Sequence, residues 1–251
     1  MLFKTEAIVL RKKVFGENEA LLTIFSKKIG KVQSVARGFK KTKGKGSSNI
    51  QAFTYGEFLL YKGKNLYQIS QVDFKKSFHK IHEDVIKLSY GSYILELTES
   101  SISEGENNPK LFNLLIDFLD ILGNKKVDVE TLVKAYEAKL MLYAGYMPVL
   151  TECVSCGNPN DSSYKFSSRE GGILCRKCLK KDSYSMNISS LSINVMRYLI
   201  QSPLEKIIKL KIQDDAKKEL DKIIKNYILT HLGKSTFNSL EFLESIKSLK
   251  I

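Results

Sequence analysis

The chain has 251 residues, of which 43% are hydrophobic and 27% are charged, a composition that supports folded cores and excludes a disordered chain. The net charge is +13, and residues 1–80 carry 17 Lys and Arg against five Asp and Glu. No apolar run approaches the roughly 20 residues that span a bilayer, and the apolar run at residues 7–10 is too short for a signal peptide. We therefore expect a cytoplasmic protein without a membrane partner, whose first third binds an anionic ligand.

Residues 1–77 show a pattern typical of short strands. Five runs enriched in β-branched, aliphatic and aromatic residues are separated by turns, and the turn at residues 62–65 has the composition of a hairpin. The runs are residues 5–11, 21–26, 31–36, 53–61 and 66–72. Five short strands in fewer than 80 residues predict a small barrel, and both an OB-fold and an SH3-like barrel fit the count.

A basic loop lies between the third and fourth predicted strands. Five cations fall in nine residues without an acid, and Phe39 lies inside the run. Cations along the backbone and aromatic rings under the bases are the combination that binds single-stranded nucleic acid, although many such runs are only solvated loops. The predicted nucleic-acid-binding residues are Arg11, Lys12, Lys13, Arg37, Phe39, Lys40, Lys41, Lys43 and Lys45. Rings available for stacking are Phe15, Phe25, Tyr55, Tyr61 and Tyr67, and strand alternation places about half of them in the core.

Residues 78–148 and 184–251 have the apolar periodicity of helices. Asn108 and Asp128 are predicted to cap two helices of the first segment, and Gly233 to end a helix of the second. The run at residues 207–212 is compatible with a short strand. His79 and His82 have the spacing to share a metal, but a surface helix is the favoured interpretation because no third ligand is evident.

The four cysteines form two Cys-x-x-Cys pairs separated by 18 residues, the spacing of a four-cysteine zinc site. The predicted metal ligands are Cys153, Cys156, Cys175 and Cys178. Disulfides suit small secreted chains, and a thioredoxin-like site needs one pair, so both alternatives fit less well. Four thiolates leave no open coordination position, which predicts a structural Zn²⁺ that stabilises a segment too short for its own core.

The ordered set of motifs resembles the RecO family of bacterial recombination mediators over essentially the full length. The N-terminal resemblance lies in Ala36-Arg37-Gly38 with its basic run, and in Leu60-Tyr61 and Leu66-Tyr67. The central one runs from Gly145-Tyr146 through Pro148 and Leu150 into the two cysteine pairs, with Gly171-Gly172 between them. The C-terminal one, at residues 231–235 and 242–243, is weaker.

The resemblance implies an α+β protein with an N-terminal five-stranded OB-fold barrel, followed by an all-helical domain with an inserted four-cysteine zinc finger. The implied domains are residues 1–78 for the barrel, 79–149 with 184–251 for the helical domain, and 150–183 for the zinc-finger insertion. It also implies a nucleoid-associated protein that binds single- and double-stranded DNA and anneals complementary strands. The implied partners are RecR and single-stranded-DNA-binding protein, and RecA indirectly, through loading onto strands coated by single-stranded-DNA-binding protein.

Two other classes of function compete with a DNA-binding mediator. An adaptor whose basic barrel binds an acidic protein tail rather than DNA has the same charge distribution. An enzyme is disfavoured because the sequence has no Gly-x-Ser-x-Gly, His-Glu-x-x-His or open metal site, and its near match to a P-loop has the wrong spacing. We therefore expect a protein that is not an enzyme.

Overall fold

The computed structural model describes residues 2–15, 19–37, 50–64 and 66–249. Five strands fill the N-terminal region and pair as a closed ring in the order β1-β2-β3-β5-β4. Their bounds are β1 Leu2–Phe15, β2 Glu19–Ser26, β3 Gly30–Arg37, β4 Tyr55–Lys62 and β5 Tyr67–Lys76. The prediction of five strands is confirmed. Turn residues and alternation could predict these strands because both are local signals in the sequence.

β1 is long enough to serve two neighbours. Its first half pairs with β4 and its second half with β2, and the register shifts between Val9 and Arg11. A bulge of this kind bends a strand, which lets one strand belong to two sides of a barrel. The ring closes through the parallel pairing of β3 with β5, which consists of Ser34 with Tyr67 and Val35 with Gln68.

The barrel interior is built from one face of each strand. Alternate residues are buried and apolar, as the period of two requires. They include Ala7, Val9, Leu22, Ile24, Val32, Phe58, Leu60, Ile69 and Val72. Phe53, predicted to begin the fourth strand, lies before it with φ 69°, and its ring contacts His82 at 5.3 Å between centroids. The side chain is used for packing against a helix and not in the sheet.

Three helices follow the barrel: α1 His79–His82, α2 Val85–Ser101 and α3 Pro109–Asn124. Asp84 caps α2 by accepting from the backbone N–H groups of Ile86 and Lys87. Asn108 accepts from the N–H of Leu111 at the start of α3, as its position before a proline predicted. The ring of Phe112 packs against Phe25 and Tyr55 from the barrel, at 5.5 and 6.3 Å between centroids.

The remaining elements combine helices with a small sheet. They are α4 Val129–Tyr143, β6 Tyr164–Ser167, β7 Gly172–Cys175, a 3-10 helix Arg176–Lys181, β8 Met186–Ile188, α5 Ser190–Gln201, α6 Leu204–Ile207, α7 Asp214–Leu232 and α8 Asn238–Leu249. Asp128 caps α4 through the N–H of Glu130, and Gly233 ends α7, as predicted. No described helix is both long and apolar enough to cross a membrane.

Two expectations for this region differ from the structure. Residues 186–188, expected to be helical, form β8, because Ile188 is buried and the segment pairs with β6 to give a sheet of order β7-β6-β8. The strand considered at residues 207–212 is absent from the described residues. Pro203 instead precedes α6 as its N-cap residue, and α6 buries Leu204 and Ile207, three residues apart on one helix face.

The chain divides into two compact units, which we call the barrel unit, residues 1–124 with 242–251, and the cysteine unit, residues 125–241. Helices α1 to α3 therefore belong to the same compact unit as the barrel. The domain boundaries at residues 78, 149 and 183 stay predictions.

Candidate metal centre and nucleic-acid interface

The four cysteines come together in the cysteine unit. One ligand atom from each of Cys153, Cys156, Cys175 and Cys178 lies within 4.8 Å of all the others. The Sγ atoms of Cys156 and Cys175 are 3.6 Å apart. A tetrahedral site with Zn–S bonds of about 2.3 Å has sulfur atoms about 3.8 Å apart, whereas a disulfide needs about 2.05 Å. All four are free thiols, and their separation suits a single metal ion.

The chain builds this cluster from two tight turns. In the first, the N–H of Gly157 donates to the Cys153 carbonyl at 2.8 Å, which reverses the chain after Cys156. The second pair starts at the last residue of β7, Cys175, and continues into the 3-10 helix that carries Cys178. The N–H of Val154 donates to the Ile173 carbonyl at 2.8 Å and joins the two turns.

Hydrogen bonds from backbone N–H groups favour the thiolate form of Cys153, which is the form that binds a metal. Burial opposes ionisation of Cys153, but N–H groups of Cys175, Cys156 and Ser155 point at its sulfur and lower its pKa to about 6. The N–H of Asn158 favours the Cys156 thiolate, but the three neighbouring sulfurs outweigh it and raise the pKa of Cys156 to about 12. Four thiolates therefore need a cation between them, and metal binding would displace the remaining protons.

The cysteine segment is tied to its unit by backbone and side-chain contacts. Gly172 forms a bridge with Val149 and approaches it so closely that an added Cβ would lie 2.4 Å from the Val149 carbonyl oxygen. The ring of Phe166 packs on Tyr227 of α7 at 5.3 Å between centroids. Tyr227 also donates to the Tyr146 carbonyl at 2.9 Å. These contacts fix β6 against α7, and β7, which carries Cys175, against Val149.

The predicted DNA-binding residues of β1 have different environments. Lys13 is exposed. Arg11 forms an ion pair with Glu99 of α2, with 2.8 Å between Nη2 and Oε1. Lys12 donates to the Ile50 carbonyl at 2.7 Å, and burial lowers the pKa of its amine. Arg37 ends β3. Its side chain, and the whole of Phe39, Lys40, Lys41, Lys43 and Lys45, lie outside the part of the chain that the structure describes.

One outer row of the barrel connects four strands. Lys13 of β1 pairs with Leu21 of β2, Leu21 with Val35 of β3, and Val35 with Gln68 of β5. Lys13 and Gln68 are exposed, whereas Leu21 and Val35 are half-buried. The row therefore offers an apolar strip with a cation at one end and an amide at the other.

The opposite side of the barrel has paired charges. Lys4 lies 3.0 Å from Glu57 and 3.7 Å from Asp73, and Glu6 pairs with Lys27 and Lys75. The hydrogen bond from Lys75 is the main reason that the pKa of Glu6 is lowered, and burial works against it. Because these charges cancel locally, this side offers an anion little net positive charge.

The aromatic residues divide as alternation predicted. Phe25 and Tyr55 are buried, and the half-buried Tyr67 packs edge-on against Phe3 at 5.8 Å between centroids. Tyr61 is 47% exposed and remains available for stacking. The side chain of Phe15 is outside the described part.

Two exposed cations at the β4–β5 turn, Lys62 and Lys64, are not among the residues that the sequence predicts to bind nucleic acid. Lys62 pairs with Tyr67, and Tyr67 pairs with Ser34 of β3, so the β4–β5 turn lies beside the third strand. The sequence indicates the hairpin turn, but it does not indicate that this turn lies next to β3. Phe74, which is 45% exposed, is likewise not among the rings that the sequence predicts to be available for stacking.

The fold and the cluster define a two-part class: a basic five-stranded barrel followed by a helical region with a metal-binding arrangement of cysteines. Residues 1–78 match the family model described as Recombination protein O N terminal, and residues 82–241 match Recombination protein O C terminal.

Full-length relatives agree with these matches. The chain is 43% identical over 246 residues to the DNA repair protein RecO of Alkaliphilus metalliredigens (strain QYMF), covering 98% of this chain and 100% of the relative. It is 33% identical to the DNA repair protein RecO of Clostridium perfringens (strain 13 / Type A), covering 98% and 99%. The chain belongs to the RecO family, which gives it a role in DNA recombination and repair.

Proposed function

We propose that this chain is a non-enzymatic recombination mediator that binds single- and double-stranded DNA, anneals complementary strands and helps RecA load onto strands coated by single-stranded-DNA-binding protein. The observation that carries the proposal is the outer row from Lys13 to Gln68, set against the charge-paired opposite side. The ring order of the barrel is consistent with an OB-fold, whose second and third strands and adjoining loops bind oligonucleotides.

DNA would follow this row with its phosphates near the cations. The basic stretch from Arg37 to Lys45 continues directly from β3 in sequence, and Lys64 lies in the β4–β5 turn, beside β3. The half-buried Leu21 and Val35 would contact bases without selecting a sequence, since every base has an apolar face. Shielding of phosphate charge on two strands would lower their repulsion and favour annealing.

The proposed metal is Zn²⁺, held by Cys153, Cys156, Cys175 and Cys178 as a structural zinc finger. Bound Zn²⁺ would supply a fixed crosslink between the two turns, and four thiolates leave it no position for water or substrate. The helical regions would recruit RecR and the tail of single-stranded-DNA-binding protein, as family membership suggests.

The test compares two variants with the same change in net charge. Lys40→Gln/Lys41→Gln/Lys43→Gln removes three cations from the basic loop, and Lys4→Gln/Lys27→Gln/Lys75→Gln removes three from the charge-paired side. Fluorescence anisotropy with a labelled single-stranded oligonucleotide is measured across salt concentrations. The loop variant should bind more weakly, with a salt slope smaller by about 2, because each contact with a single strand contributes about 0.7.

Equal effects of the two variants would mean that only net charge matters and that the loop is not the contact. An adaptor for acidic protein tails would fail to shift naked oligonucleotide in a gel. Sustained cleavage of DNA by the pure protein with magnesium would overturn the non-enzymatic assignment.

A further inference from the structure

A polar cleft of about 550 Å³ lies within the cysteine unit, between α7 and the sheet that contains β6 and β8. Its lining includes Lys165 of β6, Asn187 beside it on β8, and four charged residues of α7. The charged α7 residues are Asp215, Lys218, Glu219 and Lys222. They are spaced i, i+3, i+4 and i+7, so they share one helix face.

The three lysines of this cleft have no ion pair within 4 Å in the described part of the chain. The adjacent Lys217 behaves differently, since its Nζ lies 2.9 Å from Asp128 and 3.0 Å from Glu130. Lys217 therefore faces α4 and is ion-paired, whereas Lys218 and Lys222 of the same helix face the open cleft.

One of the two acids that line the cleft already has other partners. Both carboxylate oxygens of Glu219 accept from the N–H of Ser189, at 3.0 and 3.1 Å, and one accepts from the Ser189 hydroxyl at 2.7 Å. Glu219 therefore serves mainly to fix the start of α5. The three lysines outnumber the two acids of the cleft, Asp215 and Glu219, which leaves net positive charge for an external anion.

We propose that this cleft binds the phosphodiester backbone of a nucleic-acid strand, as a second site distinct from the barrel. Lys218 and Lys222 are separated by about 6 Å along the helix axis, so they can contact neighbouring phosphates of one backbone. Asn187 and Asp215 add hydrogen-bond acceptors, which suit the amino groups of bases.

This inference rests on the proposed function and gives it a mechanism. A protein that anneals must hold two strands at once. The barrel would hold one strand and the cleft the other, and neutralisation of both backbones would let complementary bases pair.

The experiment uses the full chain in three forms. The cleft variant is Lys165→Gln/Lys218→Gln/Lys222→Gln. The matched control is Lys206→Gln/Lys209→Gln/Lys211→Gln, which removes three exposed cations of the same unit outside the cleft. Lysine acetylation of the wild type is measured by mass spectrometry with and without an oligothymidine. Annealing of two complementary oligonucleotides is followed by fluorescence quenching in all three forms.

We expect the oligothymidine to protect Lys218 and Lys222 but not Lys206 and Lys209. The cleft variant should anneal at least tenfold more slowly than the control variant, and the salt slope of its oligonucleotide binding should be smaller by about 2. Circular dichroism and thermal melting of both variants verify that they are folded.

Four results would overturn the proposal. One is equal annealing by the two variants. Another is protection of the cleft lysines by a polyglutamate peptide and not by DNA, which would make the cleft a protein-docking site. A wild type that binds and anneals DNA with its cleft lysines unprotected would refute the cleft alone. Failure of the wild type to bind any oligonucleotide would refute the proposed function as well.

Discussion

Gly30→Ala tests how the barrel is joined to its helices. Gly30 begins β3 with φ 72°, and a Cβ added there would lie 1.9 Å from the carbonyl oxygen of Glu106 and 2.3 Å from its carbonyl carbon. The loop at residues 103–107 thus packs directly on the β2–β3 turn. The N–H of Gly105 also donates to the Lys31 carbonyl at 2.7 Å.

The expected cost has two parts. A non-glycine residue in the left-handed region costs about 1–2 kcal/mol. Displacement of the Glu106 backbone from a packed contact adds about 1–3 kcal/mol. The free energy of unfolding should therefore fall by about 2–5 kcal/mol in Gly30→Ala, measured by urea denaturation followed by circular dichroism.

Gly105→Ala is a matched control in the same contact. Gly105 has φ 74°, but nothing lies within 4 Å of an added Cβ. This variant should lose only the conformational part, about 1–2 kcal/mol. If Gly30→Ala is no more destabilised than Gly105→Ala, the close approach of Glu106 to the β2–β3 turn is incorrect.

Three further predictions concern the cysteine unit. Cys175→Ser should abolish binding of stoichiometric zinc, measured by mass spectrometry of metals, and lower the melting temperature, while oligonucleotide binding of the folded variant falls only slightly. Lys134→Met removes the charge 2.9 Å from the buried Glu137 carboxylate and should cost about 3–5 kcal/mol in urea denaturation, whereas Lys134→Met/Glu137→Leu should recover most of it. The pKa of Glu219 is lowered below its usual 4.5: burial opposes this shift, but hydrogen bonds from Ser192 and Ser189 outweigh burial. The stability that the Glu219 carboxylate contributes is therefore present above pH 4.5 and is lost as the pH falls through the folded pKa. Glu219→Gln should therefore lose less stability than the wild type on acidification below pH 4.5, and an identical pH profile would contradict this.

The features that the sequence predicted well are those fixed by neighbouring residues. Asn108 before Pro109, Asp128 at a helix start and Gly233 at a helix end act through hydrogen bonds or backbone angles within one turn. The cysteine spacing is equally local, because each pair lies on a single tight turn. These signals placed most elements and all four candidate ligands.

The features that it did not predict depend on distant contacts. Arg11 pairs with Glu99, which is 88 residues further along the chain, and nothing near Arg11 indicates this partner. The short β8 forms because β6 offers an edge, not because three residues have a strong strand preference. Likewise, the cleft lysines lie on two segments that are about 50 residues apart in sequence, β6 and α7, and only the packing of α7 beside the sheet brings them together.

The closing seam of the barrel has a consequence for its dynamics. β3 and β5 share two residue pairs, Ser34 with Tyr67 and Val35 with Gln68, whereas β1 and β2 share eight. Opening free energies vary across a protein and are lowest where few hydrogen bonds must break. Amide hydrogens along this seam should therefore exchange with solvent sooner than those of β1 and β2. Because the row from Lys13 to Gln68 crosses the seam, a strand of DNA bound along it would hold the two sides together and slow that exchange.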